Sequence, residues 1–185
     1  PTCLPPAAVA IARNGVVLFA PLDELNRDAG AYETQDECDG HPQQVGIYHY
    51  HDVPSCLIAA SSGPSTVIGF ATDGYPIVVE RDVAGELPTN ADLDECHGRT
   101  SAIELDGEVV EMYHYSATHE FPYFIGCFHG TAVLQAHTTG MYSVRDHIVA
   151  GLKQYFGDEL LAVYDKSSES LGRQQQGQSQ NGYLY

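Results

Sequence analysis

Two histidines one residue apart are the first residues of this sequence that could do chemistry together. They lie in residues 46–51 (GIYHYH), which alternate strictly with period two and whose aromatic residues favour a β-strand. On a strand, residues two apart project to one face, so His49 and His51 point together and away from the tyrosines. Two imidazoles on one strand face are a common way to present nitrogen ligands to a metal ion.

A third histidine comes from a similar strand later in the chain. Residues 113–116 read YHYS, so His114 stands where the first strand has His49, and Ser116 where it has His51. Imidazoles from His49, His51 and His114 suit zinc or copper, with a fourth position open to water or a carboxylate. The alternative is a sheet face on which tyrosines and histidines bond to one another without an ion.

The two histidine strands belong to an internal repeat. Each unit reads D-E-C-x-G, then Y-H-Y, then a proline and a second cysteine, over residues 36–56 and 94–127. Self-similarity of this kind predicts a duplicated, pseudo-symmetric domain. We expect the two Y-H-Y strands to meet near the pseudo-axis.

Five cysteines set the redox context. Pairing within each repeat unit joins Cys38 to Cys56 and Cys96 to Cys127, one of the three connectivities that four cysteines allow. Each closed loop would stabilise the fold by about 3 kcal/mol. Two disulfides predict an extracellular or secreted protein, in a periplasm or at a cell surface. The odd cysteine, Cys3, could form an intermolecular disulfide.

The remaining pattern predicts a mainly β fold of antiparallel, sandwich-like sheets that contain the duplication. Asn14-Gly15, Asp73-Gly74 and Asp106-Gly107 each separate two apolar strands, and the first predicts a type I′ turn. Residues 123–128 and 132–136 also favour strands. Helical spacing of apolar residues predicts one amphipathic helix over 143–164.

The chain divides by composition into four parts. We expect an N-terminal segment (1–13), a principal domain (14–130), a strand and helix packed on it (131–165) and a polar tail (166–185). Within the principal domain, residues 23–45 and 80–100 favour loops, the first with room for a short helix.

The charge excludes several classes of protein. The formal net charge is -17, from 25 acidic and 8 basic residues, which repels nucleic acid and anionic membrane surfaces. No run of about 18 apolar residues is present to insert into a membrane. The chain begins at Pro1 rather than Met, so we expect a processed form from which any export signal has been removed.

Several ordered motifs lie between about residue 14 and residue 130. They are DECDGHP (36–42), YHYH (48–51), GFATDGYPI (69–77), LDECHG (93–98), YHY (113–115) and FPYFIGCF (121–128). Together they resemble the YHYH domain family, which implies an exported fold unit, often used as a module, and points to metal binding. Where the family usually has a second full Y-H-Y-H, this chain has Ser116, so three histidine ligands remain instead of four. Where the family continues D-G-[FY]-P-I with Tyr-Gly, this chain has Val78 and Val79.

Other residues could support the metal site from outside its ligand set. Asp73 could orient an imidazole, and Ser116, His41 and His97 could lie nearby. The simpler interpretation gives Asp73 a turn hydrogen bond and places His41 and His97 on exposed loops. Residues 90–95 alternate oxygen side chains as a calcium loop does, but they lack the glycine of an EF-hand, which favours a solvated acidic loop.

Two functions fit this pattern. The first is an extracellular metal-binding or structural module that assembles with copies of itself, by a fibre-type contact in which a neighbour receives Tyr183, Leu184 and Tyr185. A tail folded back on its own domain is the alternative to that contact. The second function is a copper- or zinc-dependent metalloenzyme of unknown substrate, for which the sequence offers no convincing general base.

Overall fold

A computed structural model of the protein describes residues 1–43 and 46–133. Pro1–Ala132 form one compact unit. The predicted helix at 143–164, most of the predicted strand at 132–136 and the tail residues Tyr183–Tyr185 lie outside the described residues.

Eight strands and a few short helices make up the described chain, which confirms the prediction of a mainly β fold. In chain order they are β1 (Ala8–Ala12), β2 (Val17–Phe19), α1 (Ala29–Tyr32), β3 (Gly40–Pro42), β4 (Tyr48–Tyr50), α2 (Ser55–Ala60), β5 (Ser65–Ala71), β6 (Pro76–Glu80), a 3-10 turn (Asn90–Asp92), β7 (Gly98–Leu105) and β8 (Glu108–Ser116). All eight strands join one sheet in the order β3-β4-β2-β1-β5-β6-β8-β7. None of the helices in the described ranges is long and apolar enough to cross a membrane.

The sheet is mixed, whereas the sequence predicts antiparallel pairing. β2 pairs with β4, and β6 with β8, in parallel. Parallel neighbours need a crossover connection rather than a tight hairpin. Residues 20–47 and 81–107 are those crossovers, and each includes the outermost strand of its half, β3 or β7.

The sheet consists of two similar halves. Each half has a hairpin, β1–β2 or β5–β6, followed by a second antiparallel pair, β3–β4 or β7–β8. Both hairpins shift register at the same place, between Ala8 and Ala10 in one and between Val67 and Gly69 in the other. The duplication inferred from the cysteine and histidine motifs therefore extends over the hairpins as well.

The halves join along β1 and β5, which pair antiparallel with Ile11 opposite Phe70. The pseudo-two-fold axis passes through this pair. The prediction that the two Y-H-Y strands meet near the axis is wrong, because all four hairpin strands lie between β4 and β8.

Local backbone conformation departs from the sequence predictions at two places. Only Gly15 of the Asn14-Gly15 turn has a positive φ (86°), so the turn is not the predicted type I′ form, which needs a positive φ at both central residues. Residues 123–128 form turns instead of a strand: Tyr123 has a φ of 67°, and its amide donates to the carbonyl of Glu120.

The D-x-C-x-G motif fixes the histidine strand of the first half. Asp36 Oδ1 accepts hydrogen bonds from the amides of Cys38 (2.8 Å) and Gly40 (3.1 Å), and its Oδ2 accepts one from the Tyr48 hydroxyl (2.7 Å). A Cβ at Gly40 would collide with the Tyr48 ring, so only glycine fits there. The motif thus holds a tight turn against the first tyrosine of Y-H-Y.

The second half repeats this arrangement. Asp94 Oδ1 accepts from the amide of Gly98 (3.0 Å), and the Tyr113 hydroxyl donates to Asp94 Oδ2 (3.0 Å). A Cβ at Gly98 would meet the Tyr113 ring. The repeated motif is therefore a structural clamp, and the residue between the two tyrosines is left to serve the site.

Each half also has its own disulfide. The structure joins Cys38 to Cys56 and Cys96 to Cys127, which is the pairing that the repeat predicts. The largest fully buried apolar side chains of the described residues are Tyr115, Phe124, Phe128, Leu18, Ile77, Ile103 and Ile125.

Candidate metal centre

Three histidines of the first half meet on one face of the sheet. His41 in β3 lies directly opposite His49 in β4, and His51, one residue past β4, turns its ring towards both. His49 is 3% exposed and His51 6%, whereas the side chain of His41 is 19% exposed. The cluster is buried at its base and reaches solvent at His41.

The Nε2 atoms of the three rings converge. His49 Nε2 lies 2.9 Å from His41 Nε2 and 3.0 Å from His51 Nε2, and all three atoms lie within 4.8 Å of one another. Zinc–nitrogen bonds in tetrahedral geometry put neighbouring nitrogens about 3.3 Å apart. The two distances from His49 Nε2 match that spacing within a few tenths of an ångström. The three histidines are the one group of metal-ligating side chains found among residues 1–43 and 46–133.

Backbone carbonyls fix the tautomers of two rings. His49 Nδ1 lies 3.1 Å from the Ile47 oxygen, and His51 Nδ1 lies 2.6 Å from the Ala20 oxygen. A carbonyl oxygen can only accept, so each Nδ1 carries a proton and each neutral ring has a bare Nε2. Two bare nitrogens 3.0 Å apart repel each other unless a cation lies between them. Histidines that bind metals are oriented in this way by a bond at the other ring nitrogen.

The environment keeps these two rings neutral at neutral pH. Burial lowers the pKa of His49 to about 4, and the neighbouring His51 and His41 act in the same direction. The hydrogen bond to the Ile47 carbonyl opposes this shift. Burial also lowers the pKa of His51, although Glu33 opposes that change. Neutral imidazole is the form that binds metals, so both rings are held in their ligand state.

Two further side chains border the cluster. The ring of Phe19 stacks on that of His49 with centroids 4.2 Å apart and meets the His51 ring edge-on at 5.9 Å, which restricts both imidazoles. Glu33, the residue after α1, places Oε2 3.0 Å from His41 Nε2 and 3.3 Å from His51 Nε2. The arrangement suits a divalent transition metal, because neutral nitrogen donors and a carboxylate converge on one small volume.

The structure does not bring His114 to His49 and His51. His114 lies in β8 of the other half, and its Nε2 is 3.0 Å from Glu80 Oε2. The same carboxylate oxygen accepts hydrogen bonds from the Ser116 hydroxyl (2.7 Å) and from Arg99 Nε (3.1 Å). His41 therefore takes the place that the sequence analysis gave to His114.

The second half has an ion-pair group where the first has the cluster. Arg99 pairs with His114 across β7 and β8 as His41 pairs with His49 across β3 and β4. With Ser116 in the position of His51, two of the three nitrogen donors are missing from the second half.

The supporting residues named from sequence have other partners. Asp73 Oδ2 accepts hydrogen bonds from the Tyr115 hydroxyl (2.5 Å) and the Gly130 amide (3.0 Å), so it anchors a turn of the second half. His97 is buried, with Nε2 3.1 Å from the Thr118 hydroxyl, and not on an exposed loop. Cys3 is an exposed free thiol.

The acidic segment at 90–95 serves local structure. Asp92 Oδ2 accepts from the amide and hydroxyl of Thr89 at 2.9 Å and 2.8 Å, and Asp94 is part of the clamp on Tyr113. These contacts account for the two aspartates as turn and cap residues rather than as calcium ligands.

Sequence reasoning gave His41 only a supporting role and did not identify Glu33. A signal for His41 was present: it follows the D-E-C-D-G turn directly, and antiparallel pairing of the strand that starts there with the Y-H-Y strand brings it opposite His49. Glu33 had no comparable signal, because its position depends on how the long connection between β2 and β3 folds.

Comparisons with known proteins confirm the resemblance to the YHYH family for the motifs up to residue 87. Residues 3–87 match the family described as YHYH protein. No curated protein and no solved structure shows significant similarity to the chain. The matched range contains the whole histidine cluster, Glu33 and the β5–β6 hairpin.

Proposed function

This chain belongs to the YHYH family through residues 3–87, and we propose that it is a metal-binding module that holds a divalent transition metal ion through His41, His49 and His51. One observation carries the proposal. Two neutral rings, each protonated at Nδ1 by its bond to a backbone carbonyl, aim bare Nε2 atoms at each other across 3.0 Å. A metal ion removes the repulsion between those lone pairs, and a sheet face without an ion does not.

The module is suited to an extracellular setting. Its two disulfides need an oxidising compartment to form and persist. The ion then has a structural or sequestering role, since it ties β3 to β4 at one end of the sheet.

Self-association through Tyr183–Tyr185 and the exposed thiol of Cys3 is part of the same proposal. Light scattering of the full chain and of Cys3→Ser in non-reducing buffer tests it, and two monodisperse monomers would refute it.

Metal analysis tests the proposal directly. The full-length protein is stripped with a chelator, dialysed against zinc or copper(II) and analysed for bound metal. We expect one equivalent to be retained, and we expect His51→Ala to lose it. His119→Ala is the matched control, because His119 is an exposed histidine outside the cluster. A chain that retains no metal, or a His51→Ala variant that retains as much as the control, refutes the proposal.

A metalloenzyme is the second candidate. The observation in its favour is solvent access, since the side chains of His41 and Glu33 are 19% and 26% exposed. A metal with an open position could activate water or react with oxygen there. Zinc- and copper-loaded protein is assayed for ester and phosphoester hydrolysis and for phenol oxidation. Turnover that His49→Ala abolishes supports the enzyme, and metal binding without turnover leaves the binding module.

A further inference from the structure

We infer that Glu33 is the fourth ligand of the proposed metal centre, so that the resting site is a closed set of three nitrogens and one carboxylate oxygen. The inference rests on the proposed function and specifies it. It predicts which metals the site prefers and where an outside ligand can enter.

The first argument is the position of the Glu33 carboxylate. Its Oε2 lies 3.0 Å from His41 Nε2 and 3.3 Å from His51 Nε2, the same two atoms that face His49. A carboxylate that merely orients a metal-bound histidine contacts the ring nitrogen turned away from the metal. In His49 and His51 that nitrogen is Nδ1, and backbone carbonyls already occupy it. Glu33 therefore lies on the metal side of the rings.

The second argument is that this oxygen lacks a hydrogen-bond donor. Glu33 Oε2 is buried and accepts no hydrogen bond from the described residues. The Ala20 carbonyl accepts the Nδ1 proton of His51, so the uncharged form of this ring turns a lone pair towards the Glu33 oxygen. A buried carboxylate oxygen without a donor is unfavourable, because it has lost its bonds to water without replacement. A cation among the three rings would satisfy the oxygen and the nitrogens at once.

The third argument is that the backbone holds Glu33 in place before any metal binds. Its amide donates to the Ala29 carbonyl (2.9 Å), which ends α1 at this residue. One residue before α1, Asp28 accepts hydrogen bonds from the Tyr123 hydroxyl at 2.8 Å and 2.9 Å. The segment is thus anchored to the second half of the domain, and only the side chain of Glu33 needs to adjust to the ion.

Three imidazoles and one carboxylate form a set that zinc and cobalt(II) accept in tetrahedral geometry. Copper(I) prefers softer donors than a carboxylate, so the site should favour zinc over copper(I). A set of four protein ligands also leaves no open position for water. Removal of Glu33 would create that position, and a small carboxylate from solution could fill it.

Cobalt(II) is the probe for this inference, because its visible absorption is strong in tetrahedral sites and weak at higher coordination number. The full-length protein, Glu33→Gln, Glu33→Ala and the control Glu37→Gln are each titrated with cobalt(II). Glu37 lies on the same loop and is exposed. We expect intense bands for the natural chain and the control, bands at shifted wavelengths for both Glu33 variants because water takes the place of the carboxylate, and at least about a tenfold loss of affinity in those variants. Acetate should move the bands of Glu33→Ala back towards those of the natural chain and have no effect on Glu33→Gln, whose amide still fills the space.

The outcomes separate this inference from the function on which it rests. If the natural chain binds no cobalt(II) and no zinc, the proposed metal centre itself is refuted. If it binds metal and both Glu33 variants keep its spectrum and affinity, the metal centre stands and the fourth-ligand assignment is overturned. Circular dichroism of each variant shows that a lost spectrum is not a lost fold.

Discussion

His49 and His114 occupy equivalent positions of the two repeats, and each directs Nδ1 to the carbonyl oxygen two residues earlier in its own strand. The distances are 3.1 Å to Ile47 and 3.2 Å to Met112. The Nε2 atoms of the two rings have different neighbours: that of His49 faces two imidazoles, and that of His114 faces the carboxylate of Glu80. The same contact with a backbone carbonyl therefore orients a histidine towards a candidate metal site in one half and towards an ion-pair group in the other.

Substitution of these two equivalent histidines should separate metal binding from stability. His49→Ala should lower zinc affinity by more than about tenfold, because it removes a central ligand. His114→Ala should leave one zinc bound per chain with affinity within about twofold, and should lower the free energy of unfolding by about 1–3 kcal/mol because Glu80 loses a buried partner. Calorimetric zinc titration and urea unfolding measure the two effects. Equal losses of zinc affinity in both variants would show that His114 belongs to the site.

Glu80 should contribute stability that depends on pH. Burial alone would raise its pKa, but the contacts from His114, Arg99 and Ser116 outweigh burial and lower the pKa from 4.5 to about 2. A folded-state pKa below the unfolded one gives stability that is present above about pH 4.5 and lost as pH falls towards 2. In metal-free protein, Glu80→Gln should be less stable by about 3 kcal/mol at pH 7, and the gap should close towards pH 2.

The measurement is urea unfolding at several pH values. Glu111→Gln, at an exposed position of β8, is the control and should follow the natural chain throughout. A Glu80→Gln curve that runs parallel to the natural one down to pH 2 would contradict the low pKa of Glu80.

Zinc binding should release few protons in mildly acidic solution. The pKa of His49 is lowered to about 4, so that ring is already deprotonated at pH 6, and the lowered pKa of His51 leaves that ring less protonated than an ordinary histidine. Three histidines of ordinary pKa would together release about two protons on binding zinc at pH 6. We expect fewer than two, measured by calorimetry in buffers of different ionisation enthalpy. Release of two or more protons would mean that the rings are not held neutral.

The two disulfides should differ in their effect on the metal centre. Cys38 of the Cys38–Cys56 disulfide lies three residues before His41, whereas Cys96–Cys127 lies in the other half. Replacing either pair by serines should cost about 3 kcal/mol of stability. Only the Cys38→Ser/Cys56→Ser variant should also lose zinc affinity, since its disulfide fixes the turn that leads into His41. Zinc titrations of the two double variants, at a temperature where both remain folded, give the comparison.

Local signals in the sequence predicted the strands and the duplication. Period-two alternation at 48–51 and paired turn dipeptides depend on neighbouring residues alone, and the corresponding β4, β5, β6 and β8 are present. Strand order is not local. No residue near His114 in the sequence indicates that two hairpins separate β8 from β4. The repeat therefore could not show that His114 lies outside the ligand set.

The contacts of two glutamates with the histidines also could not be predicted from the sequence. Glu33 and Glu80 occur at unrelated points of their repeats, one after a helix and one at the end of a strand. Each reaches a histidine through the tertiary fold. The repeated order of cysteines and Y-H-Y can be found by a motif search, but the carboxylate that faces the histidines in each half comes from a segment outside that motif.

The antiparallel contact between β1 and β5, centred on Ile11 and Phe70, is the kind of contact that joins two copies of one chain about a two-fold axis. Here residues 61–64 connect the copies covalently. Two identical subunits would have to carry identical sites, both able to hold an ion or neither. The covalent link removes that constraint, so one half can keep histidines at positions where the other uses an arginine and a serine. Because the two halves are fused, one half can hold a candidate metal site while the other holds an ion-pair group, which two identical subunits cannot do.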